Sequence, residues 1–203
     1  MGDDVVRYPG IVDTDALIAV ANTSLWPKIT NTLQVTTTNV CLHELKRHLR
    51  DRSEYASEGT RDHWIYTGSQ RAVDVFEDDT NDSFTVVSCV PRPHGEDAGE
   101  QSLATEIKQH PGQYRFAILM DSDGRRSINR LFDSTDEPGR AVAPTFLLYL
   151  LLDSDACTIE EFCQACGELL RGEGWTGYQA VQAAWAAIPV DCSPYLSADV
   201  LPE

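Results

Sequence analysis

Short apolar runs alternate with segments of helical period along this chain, and two of those runs end abruptly in acid. Ile11-Val12 closes on Asp13-Thr14-Asp15 and passes directly into residues 16–21, a pattern of strand, acidic turn and helix. Residues 33–37 are rich in β-branched side chains and predict a second strand. Asn39 is placed to cap a helix running to about Arg50, with Leu42, Leu45 and Leu49 on one face at i, i+3 and i+7. A further helix is predicted over residues 60–76, with Trp64, Ile65, Ala72, Val73 and Phe76 inward. After an acidic turn at 77–82, residues 84–90 form a buried-type strand and 91–95 a loop. Residues 97–109 then form a helix. Residues 116–120 predict a fourth strand, ending in Asp121-Ser122-Asp123 and followed by a short helix over 125–132. A short fifth strand fits residues 140–143.

From Pro144 the pattern turns helical. One helix is predicted over 146–152, and Thr158-x-x-Glu161 is a capping box opening a second that stops at Gly172. A last helix covers 178–188. The expected organisation is an α/β core over residues 1–143, then a helical part over 144–203 packing on it, irregular after 189. Strands alternating with helices predict a parallel sheet of about five strands covered on both faces.

The length of 203 residues suits this plan and buries a core without disulfides. Charge changes the picture more. There are 32 acidic residues against 16 basic ones, a net charge of −16, and only Lys28, Lys46 and Lys108 are lysines. An acidic excess spread along a globular chain predicts a salt-adapted, halophilic surface, whose self-repulsion is screened in molar salt. It argues against a simple electrostatic nucleic-acid binder, which carries a basic face. A metal ion can still supply local positive charge. The N-terminus MGDDVVRYPG lacks a basic start and an apolar run, so a reducing cytoplasm and six free thiols are expected. Cys163-x-x-Cys166 lies in a helix with no second pair nearby, which predicts buried helix-face cysteines in preference to a zinc site. The longest apolar run, residues 146–152, is too short to span a bilayer.

Ligands of parallel α/β sheets bind at the carboxyl ends of the strands. Asp13 and Asp121 each end a strand, so both fall on that edge. Glu44, in the second turn of the helix after strand two, and Glu100, near the start of the helix after strand three, belong to helices that begin at the same edge. Four carboxylates from four units can therefore converge. Like charges at close range resist joint ionisation unless a cation lies between them, and oxygen ligands suit Mg²⁺ or Mn²⁺. A metal so held activates water and polarises a phosphoryl group.

These residues resemble a known family. IVDTDALIAV (residues 11–20) is similar to the opening strand and helix of PIN domains, and TTNVCLHELKRHL (37–49) resembles their second unit, with Glu44 as its acid. GEQSLA (99–104) resembles the Gly-Glu start of the third acidic helix, and ILMDSDGRR (118–126) resembles the unit that carries the fourth acid. Residues 143–175 resemble the helical end of one prokaryotic subgroup. The resemblance implies a metal-dependent endoribonuclease that leaves a 5′-phosphate and a 3′-hydroxyl. It further implies a toxin of a toxin–antitoxin pair with an antitoxin partner, and a homodimer. It makes Asp13, Glu44, Glu100 and Asp121 the catalytic metal ligands. Ser122 separates Asp121 from Asp123, so the fourth role stays open between those two acids, and the insertion between Glu44 and strand three is long. Arg125 and Arg126 are candidate contacts to RNA phosphates.

Two alternatives stand beside this reading. Asp13-Thr14-Asp15 after a first strand also fits the DxD signature of haloacid-dehalogenase-type phosphatases, with Ser88 and Lys108 in the remaining roles and no task for Glu44. The other is a non-catalytic PIN-like module that binds a protein partner.

Overall fold

The computed structural model describes residues 10–52, 56–95, 97–135, 138–169 and 178–186. Five strands form one sheet: β1 (Gly10–Val12), β2 (Val35–Thr38), β3 (Phe84–Val87), β4 (Phe116–Ile118) and β5 (Arg140–Val142). The order is β3-β2-β1-β4-β5, and every neighbouring pair is parallel. The winding reverses between β1 and β4, which opens a crevice at their carboxyl ends. The register locks those ends together, pairing Val12 with Ile118, and the Asp13 amide donates to the Ile118 carbonyl at 3.0 Å.

The helices among the described residues are α1 (Thr14–Ala21), α2 (Trp26–Thr32), α3 (Asn39–Asp51), α4 (Arg61–Phe76), α5 (Ala98–Gln109), α6 (Ser122–Ser134), α7 (Thr145–Asp153), α8 (Ile159–Leu169) and α9 (Tyr178–Ala186). The central strands β1, β2 and β4 are largely buried, while the edge strands β3 and β5 expose Thr85, Val86 and Arg140. Ile11, Ala117 and Ala141 join one cluster with Leu103, Ile107, Ile128 and Phe132 of α5 and α6. Val12 and Ile118, the next residues along, point to the opposite face. They pack with Leu17 and Ile18 of α1, Leu148 and Leu151 of α7, and Phe162 of α8. The period of two in the sheet thus builds two cores from one set of strands.

Local details depart from the sequence expectation in ways that matter for the site. Helix α2 was not foreseen. It is only seven residues long, carries Pro27 in its first turn, and buries just Trp26 and Ile29, too few positions for a periodic signal. Asn39 is the first helical residue of α3 and does not cap it. Thr38 caps it, accepting from the Cys41 amide at 3.1 Å, while Asn39 accepts from the Cys89 amide at 3.1 Å and ties α3 to the chain after β3. Strand β3 stops at Val87, three residues early. Helix α6 starts three residues early, because Asp121 caps it. The capping box is present as read: Glu161 accepts from the Thr158 amide, and the Thr158 hydroxyl accepts from the Glu161 amide. Residues 170–177 and those after 186, including the expected helix stop at Gly172 and the tail, lie outside the described residues.

The thiol expectation fails at Cys163 among the described residues. Cys41, Cys89, Cys157 and Cys166 are free and buried, but Cys163 is disulfide-bonded. Spacing alone gives no view of which cysteines the tertiary fold brings together. Cys163 and Cys166 are both fully buried among apolar side chains of α8. No helix among the described residues is long and apolar enough to cross a membrane.

Candidate active site

Two glycines organise the four predicted acids. Gly99 lies in the first turn of α5, where α5 meets the ends of β1 and α3. A β-carbon placed on Gly99 would sit 2.8 Å from Glu44 Oε2 and 2.9 Å from Asp13 Oδ1. Gly124 lies in the first turn of α6. A β-carbon there would sit 2.8 Å from Glu100 Oε2. The Gly124 amide donates to Asp121 Oδ2 at 2.6 Å. Asp13 and Glu44 thus share one glycine, and Glu100 and Asp121 share the other. Glu100 follows Gly99 directly, so the two pairs form one row along the carboxyl edge of the sheet. The close approach of carboxylates to backbone is what these glycines permit.

The row is held from beneath by buried hydroxyls. Thr14, the first residue of α1, donates to Glu44 Oε2 at 2.6 Å. Ser102 donates to the Gly99 carbonyl at 2.6 Å and lies 2.6 Å from the Thr38 hydroxyl, which links the start of α5 to the cap of α3. Thr37 donates to the Val12 carbonyl at 2.8 Å, fixing the end of β1. The Cys41 thiol reaches Asp13 Oδ1 at 3.8 Å. Thr14, Thr37, Thr38 and Cys41 carry no sequence signal for this role, since a threonine beside a strand is usually a cap or a ladder residue and a buried cysteine a core residue. The one available clue was Ser102 three residues after Gly99.

Electrostatics mark Asp13 as the strained member. Burial, then the charge of Asp15, with that of Glu44 after it, pushes its carboxyl up to about 7. Burial and the neighbouring Asp13 charge push the Cys41 thiol up to about 12, so it stays a neutral donor. A folded-state value raised above the unfolded one means that the metal-free protein loses stability as pH rises from about 4 through about 7. Below that window Asp13 is protonated in both states and costs nothing. Asp13→Asn should remove this loss. In chelator, the variant's melting temperature should overtake the wild type's as pH is raised from 4 to 8. A difference that does not change with pH would show that Asp13 is not held in such a field.

The other candidates sit elsewhere. Asp123 is exposed and pairs with Arg126 on the outer side of α6. Arg125 turns back, donating to the Leu119 carbonyl at 2.9 Å and to the Met120 carbonyl, and it is attracted by Asp121. Lys108 is exposed at the far end of α5, eight residues beyond Glu100 and therefore roughly 12 Å along the helix axis. That places it far from Asp13 for the role a phosphatase would need. Among the described residues, no three aspartate, glutamate, histidine or cysteine side chains already enclose a cation position. The donor set is nevertheless all oxygen, and the crowding at Asp13 is of the kind a divalent cation relieves.

No curated protein and no solved structure matches the chain. A family model does match, the halobacterial PIN domain, and it covers residues 1–202. A match over nearly the full length agrees with the five-stranded parallel sheet, with the acids on its carboxyl edge and with the salt-adapted composition, and it establishes that the chain belongs to the halobacterial PIN domain family.

Proposed function

We propose that this protein is a divalent-metal-dependent endoribonuclease. PIN domains are generally nucleases that bind RNA, and that membership is the broad frame. The observation that carries the finer reading is the placing of Asp13 and Glu44 together at Gly99, and of Glu100, the next residue, with Asp121 at Gly124. Such crowding of carboxylates, against the local preference for separation, suits a site that awaits Mg²⁺ or Mn²⁺.

In this reading Asp13, Glu44, Glu100 and Asp121 would hold the metal. The metal supplies an activated water and charge neutralisation at the phosphate. The chain's own residues set the geometry. Thr14 fixes one Glu44 oxygen, leaving the other to bind, and the Gly124 amide fixes one oxygen of Asp121. A bound cation would favour the ionised form of Asp13, which burial otherwise disfavours. Residues 1–143 form the nuclease core, and the helices after residue 144 brace it through Leu148, Leu151 and Phe162. The toxin role, an antitoxin partner and a homodimer belong to the proposal as what the family likeness implies.

The non-catalytic reading has one observation in its favour, that the described donors do not enclose a cation position as they stand. One experiment separates the two. Purified protein in molar salt should cut single-stranded RNA with Mg²⁺ or Mn²⁺ present and stop on addition of EDTA. Cutting that survives exhaustive chelation overturns the metal-dependent mechanism, and no cutting with either metal favours the non-catalytic module.

A further inference from the structure

A second feature reaches toward the acidic row through Arg125. Between the outer strand β5 and helices α7 and α9 lies a groove of about 520 Å³, lined among others by Arg125, Arg140, Val142, Phe146, Tyr149 and Ala184. That volume is in the range of small-molecule sites. Its floor is aromatic. Phe146 packs on Phe116 at 4.4 Å between ring centroids, and Tyr149 stacks on Phe146 at 6.5 Å and 25°. Tyr149 is 38% exposed, one of few large apolar side chains left so among the described residues. Its rim is cationic in a chain of net charge −16. Arg140 is exposed and forms no ion pair among the described residues. Arg125 is the link: it lines the groove while its guanidinium lies on the Leu119 and Met120 carbonyls and is attracted by Asp121.

We infer that this groove seats a nucleotide of the RNA substrate flanking the one at the acidic row, its base on Tyr149 and Phe146 and its far phosphate toward Arg140, at the amino end of β5. The inference rests on the nuclease reading and adds where the substrate is gripped. The physical reason is salt. Nucleic-acid binders normally draw affinity from phosphate contacts that release counterions, and that gain fades steeply as salt rises. At molar salt the screening length is about 3 Å, so a chain with this charge cannot gather RNA by its field. Stacking on an aromatic face and direct contact with a planar guanidinium act at short range and survive. An aromatic floor, two arginines and continuity with Asp121 fit a flanking nucleotide better than they fit an apolar protein helix or a second copy of the chain, neither of which requires the arginines.

The test uses the full chain in 2 M KCl and a short single-stranded RNA carrying 2-aminopurine. Binding is followed by fluorescence in EDTA, and cleavage is followed separately with Mn²⁺. Tyr149→Ala should weaken binding by about tenfold, as loss of one stacked base does, and should abolish the quenching of 2-aminopurine. In cleavage the change should fall on KM and not on kcat. Tyr149→Phe should restore binding, and Arg140→Gln should weaken it with quenching retained. Circular dichroism checks the fold of each variant, with Tyr149→Phe and Arg140→Gln as the conservative pair. If the wild type binds and cuts RNA while Tyr149→Ala and Arg140→Gln match it, the groove assignment fails and the nuclease reading stands. If Tyr149→Ala instead turns a dimer into a monomer in sedimentation, with RNA affinity unchanged, the groove is a subunit contact and the inference is overturned. If the wild type neither binds nor cuts RNA, both readings fall.

Discussion

Glu44→Gln is expected to slow single-turnover RNA cleavage by on the order of 10²-fold or more while leaving the protein folded. Gln keeps the size, polarity and helix propensity of Glu, so α3 should persist. Leu45 is fully buried, and Leu42 and Leu49 pack against the same core, which holds the helix in place. Only the charge is lost. The Thr14 hydroxyl, 2.6 Å from Glu44 Oε2, can donate equally to the amide oxygen, so the local hydrogen bond also survives. In the phosphatase alternative Glu44 is a bystander, and the same substitution leaves hydrolysis of a chromogenic phosphate monoester unchanged. The decisive measurement is RNA cleavage beside monoester hydrolysis, with circular dichroism for folding. A folded Glu44→Gln protein that cuts RNA at the wild-type rate would remove the acidic row from the mechanism.

Dialysis from molar to about 0.1 M salt should lower the melting temperature by on the order of 10 °C, because the Debye length grows from about 3 Å to about 10 Å. Neighbouring surface acids then begin to repel across gaps they did not feel before. Clusters such as Asp78, Asp79 and Asp82 are exposed, and the ion pairs among the described residues lie mostly at the surface, where each contributes little. A net charge of −16 is left to act on the fold. Thermal melts at fixed pH and graded KCl, repeated with sorbitol in place of salt, separate charge screening from general exclusion of solute. A melting temperature that stays flat or rises as salt is removed would end the halophile argument.

The parts of the fold legible in the sequence are those governed by short-range periodicity. The order of strands and helices along the core follows from apolar runs and from spacing such as Leu42, Leu45 and Leu49. The charge balance likewise foretold the salt-adapted family. What periodicity does not reach was missed or misplaced by a few residues. The short helix α2 buries too few positions to show a period. The cap of α3 passed from Asn39 to Thr38, because Asn39 was needed 50 residues away at Cys89. The disulfide at Cys163 depends on which cysteines the folded chain brings together, and no local pattern encodes that.

The acids divide along the same line. Sequence alone placed Asp13 directly after one apolar strand and Asp121 just beyond another, with Glu44 and Glu100 in the early turns of helices that follow parallel strands, all toward the carboxyl edge of the sheet. Only the tertiary structure decided how they meet: Asp13 with Glu44 across Gly99, Glu100 with Asp121 at Gly124, and Asp123 turned outward to Arg126. It also decided that Arg125 folds back onto the carbonyls after β4 and lines an aromatic groove. Strand and helix positions are set by the nearest few residues. Contacts between side chains about 20 to 90 residues apart are set by how closely two backbones pass, and here the missing side chains of two glycines fix that distance.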